Sequence, residues 1–381
     1  MQSSRVIKKN IVIAPDSFKG SIDALSAATA IESGWRRIRA ADEIHVLPMA
    51  DGGEGTLDAL ACSDAHARWQ EVGAVRGPDG RPVTGRWLLL GNGSPVVELA
   101  QVSGLPLMGE PDPLGASTHG LGEVLRAVGE RPRPPGASGR EPEILVGLGG
   151  SASTDGGTGL LTALGAGFLD ASGRPLPPGG GALRHLARID LSELTRPGPL
   201  VVLSDVAAPL LGPSGAAHVF GPQKGADASA ISILEQGLAR LADLVGVDPD
   251  QPGMGAAGGT AYALVAVLGA RLEPGAPFLA RATGVADSIR NADVLITGEG
   301  RFDASSGTGK AVGHLLGLPG PRHRIVIAGG IETAPEDCRA YSLCELAGST
   351  DRAMTDPAHW LAESGGRAAA DLTAEWERRG Q

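Results

Sequence analysis

A short β-branched run, then a loop carrying glycine and a carboxylate, then a stretch of helical period recurs along this chain. Ile11-Val12-Ile13-Ala14 runs into Pro15-Asp16-Ser17-Phe18-Lys19-Gly20. Ser21 can then cap a helix whose apolar positions Ile22, Leu25, Ala28, Ile31, Trp35 and Ile38 keep to one broad face. Ile44 to Met49 leads into Asp51-Gly52-Gly53-Glu54-Gly55-Thr56 and then Leu57 to Ala61. Ile144-Leu145-Val146 leads into Gly147-Leu148-Gly149-Gly150-Ser151, with a helix from about Gly159. Val201-Val202-Leu203 ends at Ser204-Asp205, Val294-Leu295-Ile296 at Thr297-Gly298-Glu299-Gly300-Arg301, and Ile325-Val326-Ile327 at Ala328-Gly329-Gly330. None of these runs alternates, which predicts strands buried on both faces, as in a parallel sheet. Strands interleaved with helices predict an α/β fold. In open sheets of that kind ligands sit outside the carboxyl ends of the strands, and there this chain concentrates its polar residues.

The stretch from Arg68 to Gly104 reads differently. Glu71 to Val75, Arg86 to Leu90 and Val96 to Ala100 are separated by Gly77-Pro78-Asp79-Gly80 and Gly91-Asn92-Gly93-Ser94. Asp-Gly and Asn-Gly between apolar runs predict hairpins, so an antiparallel meander is expected here as a second architectural unit. Arg131 to Pro142 and Ser172 to Gly181 read as exposed loops, and no internal repeat is visible. The strands at the two ends of the chain either share a sheet, with the middle inserted, or do not; the pattern leaves both open.

Composition sharpens this picture in one respect. Glycine occupies 58 of 381 positions, roughly 15% against a usual value of about 7%. Most glycines follow apolar runs, where backbone must turn sharply or meet a ligand closely. A net charge of −10 and 3% aromatics argue against a nucleic-acid or anionic-membrane partner. Cys62, Cys338 and Cys344 form no metal or redox pair, which suits a reducing compartment. The run after Lys8 and Lys9 is too short for a signal segment, and the cytoplasm is the expected location.

The candidate chemistry lies in the strand-end loops. Asp16-Ser17-Phe18-Lys19-Gly20 places acid, hydroxyl and cation on one turn; the plainer reading is a surface loop before a helix cap. In Asp51-Gly52-Gly53-Glu54-Gly55-Thr56 two carboxylates would repel phosphate, so Mg²⁺ or a substrate hydroxyl is the fitting partner, with an acidic helix cap as the alternative. Gly149 to Gly157 can turn successive amides toward an anion, Ser151, Ser153 and Thr154 adding hydroxyls and Asp155 holding metal or accepting a proton. It can equally be a tight glycine turn. Asp205 closes a buried strand, Lys224 stands in Gly221-Pro222-Gln223-Lys224-Gly225, and Gly255-Ala256-Ala257-Gly258-Gly259 is bare backbone before a helix. Glu299, Arg301 and Asp303 follow another strand. Gly307-Thr308-Gly309-Lys310 resembles a P-loop but has Ala304 and Ala311 where that motif needs Gly and Ser or Thr, so Lys310 is left as a lone phosphate contact. No metalloprotease, dithiol or nucleophile-elbow motif occurs. Many carboxylates, a few lysines and glycine turns suit metal-assisted phosphoryl transfer without a covalent intermediate.

Ala14 to Ser21, Asp51 to Thr56, Gly149 to Ala152, Val219 to Ala226, Gly255 to Gly259 and Thr297 to Arg301 resemble, in order, the signature blocks of type I glycerate kinases. The resemblance runs from about Ile11 to Ile331. It implies ATP-dependent phosphorylation of D-glycerate with Mg²⁺, 2-phosphoglycerate being the usual product. It also implies two α/β domains, one flavodoxin-like with a parallel sheet and discontinuous in sequence (1–67 and 286–381), the other a mixed-sheet insertion (68–285), with the active site in the cleft between them. On this footing Asp205, Asp303, Lys19 and Lys224 are expected to be catalytic, and Asp16, Ser17, Arg301 and Ser151 to bind substrate. Gly149, Gly150, Gly258, Gly259, Glu299 and Lys310 are expected at the nucleotide, and Asp51, Glu54 and Asp155 at the metal. The chain departs from the family pattern at Thr154, Ala208 and Ser305. Two other readings stand beside it, a kinase of another small hydroxy acid and a glycerate-binding regulator that has lost catalysis. The galactokinase and homoserine kinase group shares the Gly147 to Ala152 block but not the others. Monomer and homodimer are both open.

Overall fold

The computed structural model describes residues 7–131, 141–304, 306, 310–335 and 337–379. Most of the expected Arg131 to Pro142 loop, and Ser305 with Gly307-Thr308-Gly309, lie outside the described residues. Thirteen strands are present among the described residues: β1 (Asn10–Ile13), β2 (Glu43–Val46), β3 (Arg68–Arg76), β4 (Pro82–Leu89), β5 (Pro95–Glu98), β6 (Ile144–Gly147), β7 (Gly167–Leu169), β8 (Arg188–Asp190), β9 (Leu200–Leu203), β10 (Arg271–Glu273), β11 (Val294–Phe302), β12 (His323–Ile331) and β13 (Arg339–Ser342). The chain divides into two compact units, Met1–Asp51 with Asp58–Asp64 and Ala276–Gln381, and Gly52–Leu57 with Ala65–Gly275.

The first unit holds a sheet in the order β13-β12-β11-β1-β2, with every pair parallel. Counted along the chain within this unit, that is the 2-1-3-4-5 order of flavodoxin-like folds, whose direction of winding reverses between β1 and its neighbour, here β11. The uninterrupted apolar runs are explained by burial on both faces. Ile11, Ile13, Ile296, Ile325 and Ile327 pack under Trp35, Leu361, Leu372 and Trp376. Val326 and Ala328 pack with Val312 on the helix Ala311–Gly317.

Two expectations change here. The first helix runs Ala24–Ile38 and is capped by Asp23, which accepts from the Ser26 amide at 2.8 Å; Ser21 is not the cap. Phe18 and Ile22 exchange backbone bonds at 2.9 and 3.1 Å, which holds residues 18–22 in a tight turn and delays the helix. Its buried face is Ala24, Ala27, Ala28, Ile31, Gly34 and Trp35, while Leu25 and Ile38 are exposed. Small residues are needed because the helix Pro357–Arg379 lies close: a Cβ on Gly34 would collide with the Ala362 carbonyl. Secondly, Thr297 to Arg301 is strand rather than loop. Parallel pairing continues through Glu299 with Ala328 and Arg301 with Gly330. A Cβ on Gly298 would strike the Ile327 carbonyl, so that glycine serves strand approach.

The second unit has a mixed sheet, β10-β9-β6-β5-β4-β3. Strands β10, β9, β6 and β5 are parallel, and β5, β4 and β3 form the antiparallel meander that the Asp-Gly and Asn-Gly turns predict. A β7–β8 pair stands apart. The central strands are again buried end to end, with Val97, Ile144, Val146, Leu200 and Val202 in one core. Among the described residues no helix is long and apolar enough to cross a membrane.

Candidate active site

In the first unit the loop after β1 is tied to β11, the Asp16 amide donating to the Gly298 carbonyl at 2.8 Å. Thr297 donates its hydroxyl to the Ala14 carbonyl at 2.8 Å from the other side of the same junction. The reversal point of the sheet is therefore closed by backbone and hydroxyl bonds, and the charged side chains beyond it project into a cavity of about 760 Å³. Asp16, Ser17 and Lys19 line it from the end of β1, and Asp51 from beyond β2. Glu299, Arg301, Asp303 and Lys310 line it from β11 and the segment that follows. Leu343, Cys344, Ala353 and Met354 add an apolar side. Eight of the residues expected at the site are thus gathered in one cavity of one unit.

Burial sets the charge state there. Asp16 is 8% exposed, and its carboxyl is pushed up to about 7, first by burial and then by the Asp51 and Glu299 charges. The Ser17 amide, 2.6 Å from Asp16 Oδ1, and Lys19 oppose that shift. Glu299, 9% exposed, is also raised by burial, against the Ser306 hydroxyl and Lys310. Arg301 is paired with Glu332 at the rim. Among the described residues no three His, Cys, Asp or Glu side chains are arranged to hold a metal by themselves.

In the second unit the same kinds of residue mostly serve the fold. Asp155 is fully buried, and its oxygens accept from the Thr118 amide and hydroxyl, both at 2.8 Å, and from the Gly157 and Gly159 amides at 3.1 and 3.2 Å. These four donors make Asp155 an anchor of the loop. Lys224, 3% exposed, donates to the Ser153 carbonyl and reaches Thr154 Oγ1 at 3.5 Å; burial brings its ammonium down to about 8, against the Asp155 charge. Ser151 turns its hydroxyl to the Ser153 amide at 3.2 Å.

Gly258 and Gly259, expected to face a nucleotide, are buried against residues 153–156. A Cβ on Gly258 would strike the Ser153 carbonyl, and the Gly258 carbonyl accepts from the Gly156 amide at 3.0 Å. With Ala257 they form a left-handed turn, φ 52°, 64° and 87°, ahead of regular helix from Thr260. Gly149 is used likewise: its amide donates to the Gly52 carbonyl at 3.3 Å, and a Cβ would strike Gly53. Gly150, at φ 77°, stays exposed. Asp205 closes β9 and accepts from the Gly275 amide at 2.8 Å. Glu54 falls in this unit, apart from Asp51 in the division of the chain.

The sequence reading missed two residues. Glu98, 1% exposed at the end of β5, accepts from the Gly55 and Leu57 amides at 3.3 and 3.1 Å, so the cap for the glycine loop before the helix Thr56–Ser63 comes from 41 residues away. Thr118 holds Asp155. A carboxylate ending an otherwise apolar run, Val96-Val97-Glu98, was the available signal for the first.

A larger groove of about 980 Å³, lined in part by Arg174, Arg184, His185 and Arg240, contains none of these residues. It is a wide surface feature with Arg174 already paired to Asp170, and it lies at no strand end of the main sheets.

A parallel sheet whose reversal point meets a cavity lined by carboxylates and cations together defines an α/β protein with a strand-end site for a small charged ligand. Residues 11–373 match the model of the glycerate kinase family. The chain is 41% identical over 311 residues to the glycerate kinase of Bacillus subtilis strain 168, covering 79% of each protein. It is 39% identical over 328 residues to the glycerate 2-kinase of Escherichia coli K12, covering 83% of this chain and 84% of that one. The crystal structure of a glycerate kinase 2 candidate from Salmonella typhimurium LT2 superposes with a TM-score of 0.75 at 36% identity, covering 97% of this chain and all of the other. The chain belongs to the glycerate kinase family.

Proposed function

We propose that this enzyme transfers the γ-phosphoryl group of ATP to D-glycerate, with the C2 hydroxyl as the favoured acceptor. The observation that carries the reading is the first unit's cavity, where Lys19, Arg301 and Lys310 can meet phosphate or carboxylate while Asp16, Asp51, Glu299 and Asp303 can meet hydroxyls. The C2 preference is supported by the Escherichia coli relative, a glycerate 2-kinase. In the reaction the acceptor oxygen bonds to Pγ as the Pγ–O bond to ADP breaks, and the hydroxyl proton passes to a carboxylate. Asp16 suits that last role, because a carboxyl poised near 7 is matched to taking a proton at neutral pH. Asp303 is the second candidate in the cavity, and Asp205 the candidate at the strand ends of the other unit.

Mg²⁺ fits the donor set present. It needs only one or two protein carboxylates beside phosphate and water, and Asp51 supplies such a hard oxygen in the cavity. When bound it would neutralise phosphate charge. The lysines do the same from the protein side while the carboxylates orient the acceptor. A coupled ADP-release assay with Mg-ATP and D-glycerate, with phosphorus NMR of the product, tests the reading. Turnover with phosphorus coupled to a single proton marks the C2 ester, and coupling to two marks C3. Turnover with a different hydroxy acid and none with D-glycerate would overturn it.

A further inference from the structure

Two buried side-chain oxygens lining the first unit's cavity have no hydrogen-bond partner, Ser17 Oγ and Glu299 Oε1. An unpaired buried oxygen is uncommon in a folded protein because it forfeits its hydration without recompense, so each is a place where a ligand that enters the cavity gains a bond. They come from neighbouring strands at the reversal point of the sheet, Ser17 after β1 and Glu299 within β11. The Ser306 hydroxyl and Lys310 favour the charged form of the Glu299 carboxyl, against its burial.

The chemistry of these two oxygens narrows the ligand. A phosphate or carboxylate oxygen brings only acceptors and negative charge, and Glu299 would repel it. An alcohol donates to a carboxylate and can also accept from, or donate to, the Ser17 hydroxyl. Two such oxygens in one cavity can each meet one hydroxyl of a ligand that carries two. We infer that Glu299 and Ser17 form a subsite that reads a vicinal diol. This rests on the kinase reading of the same cavity, whose two substrates each carry one: the ribose of ATP and the C2–C3 pair of D-glycerate.

The test measures binding and turnover for ATP against 2′,3′-dideoxy-ATP, and for D-glycerate against D-lactate, which lacks the C3 hydroxyl. Wild type, Glu299→Ala and Ser17→Ala are compared, with melting temperature as the folding control. In one arm wild type is expected to prefer the hydroxylated ligand by about 10- to 100-fold, and both variants to lose most of that preference. Loss in the nucleotide arm identifies the ribose, and loss in the acid arm identifies glycerate. If Glu299→Ala melts far below wild type, Glu299→Leu, which removes the acceptor at similar size, is read in its place. Preferences unchanged by the variants in both arms would overturn the inference. A wild type that binds with a Glu299-dependent preference yet turns nothing over would sink the kinase reading and leave the subsite standing.

Discussion

The carboxylate of Asp155 takes both donors of Thr118, amide and hydroxyl, each at 2.8 Å. With the Gly157 and Gly159 amides, that single side chain organises the turn from β6 into the helix Thr158–Ala163. Asp155→Ala would strand four donors in a dry interior. We expect it to lower unfolding stability by about 3 kcal/mol or more in urea titration. A variant as stable as wild type but without turnover would return Asp155 to the chemistry.

Asp16 is held the opposite way, in a place that disfavours its charge. Its folded pKa of about 7 exceeds the ordinary carboxyl value of 3.8, so the native state binds more protons than the unfolded state between those values. Stability is therefore lost as pH rises through that window and stays lost above it. Asp16→Asn should match wild type near pH 4 and exceed it by up to about 4 kcal/mol at pH 8, measured without divalent cations. A difference independent of pH would show that Asp16 is not desolvated in solution.

Lys224 has the reverse sign. Its folded pKa of about 8 lies below the ordinary ammonium value of 10.5, so the unfolded state binds the extra proton between them. Wild type should gain stability as pH rises from about 8 to 10.5, by up to about 3 kcal/mol, and Lys224→Met should lack that rise. Parallel pH profiles of the two proteins would mean that the ammonium finds water.

Gly258 combines φ 64° with a Cβ position occupied by the Ser153 carbonyl. Gly258→Ala is expected to lose about 2 kcal/mol or more of stability, read as a fall in melting temperature. An unchanged melting temperature would mean that the turn relaxes and that its glycine was kept for a ligand.

Asp205 accepts the Gly275 amide with one oxygen, a bond that an asparagine carbonyl can keep. Asp205→Asn should fold normally and, if Asp205 acts on the acceptor, turn over about 100-fold or more slowly. Near-normal turnover would remove it from the reaction.

Much of this architecture was legible before any coordinates. Non-alternating runs such as Ile11-Val12-Ile13 and Val201-Val202-Leu203 mark strands covered on both faces, and Asp-Gly and Asn-Gly mark the meander. Asp16, Lys19, Glu299 and Lys310 were legible as site candidates because charge at a buried strand's end needs a reason. Boundaries were harder. Thr297 to Arg301 looks like loop, since nothing local tells glycine that turns a chain from glycine that lets β12 come close.

By itself the sequence determined the alternation of strand and helix, the ordered loop motifs, and which residues could carry charge into a site. Tertiary structure alone decided how those residues are used. Asp155 and Asp16 are both carboxylates in glycine-bearing loops. The first meets four donors, two of them on Thr118, 37 positions away, while the second meets burial and the charges of Asp51 and Glu299. Local pattern encodes period and turn chemistry. Desolvation and hydrogen-bond partners are set by neighbours distant along the chain, and only folding brings them together.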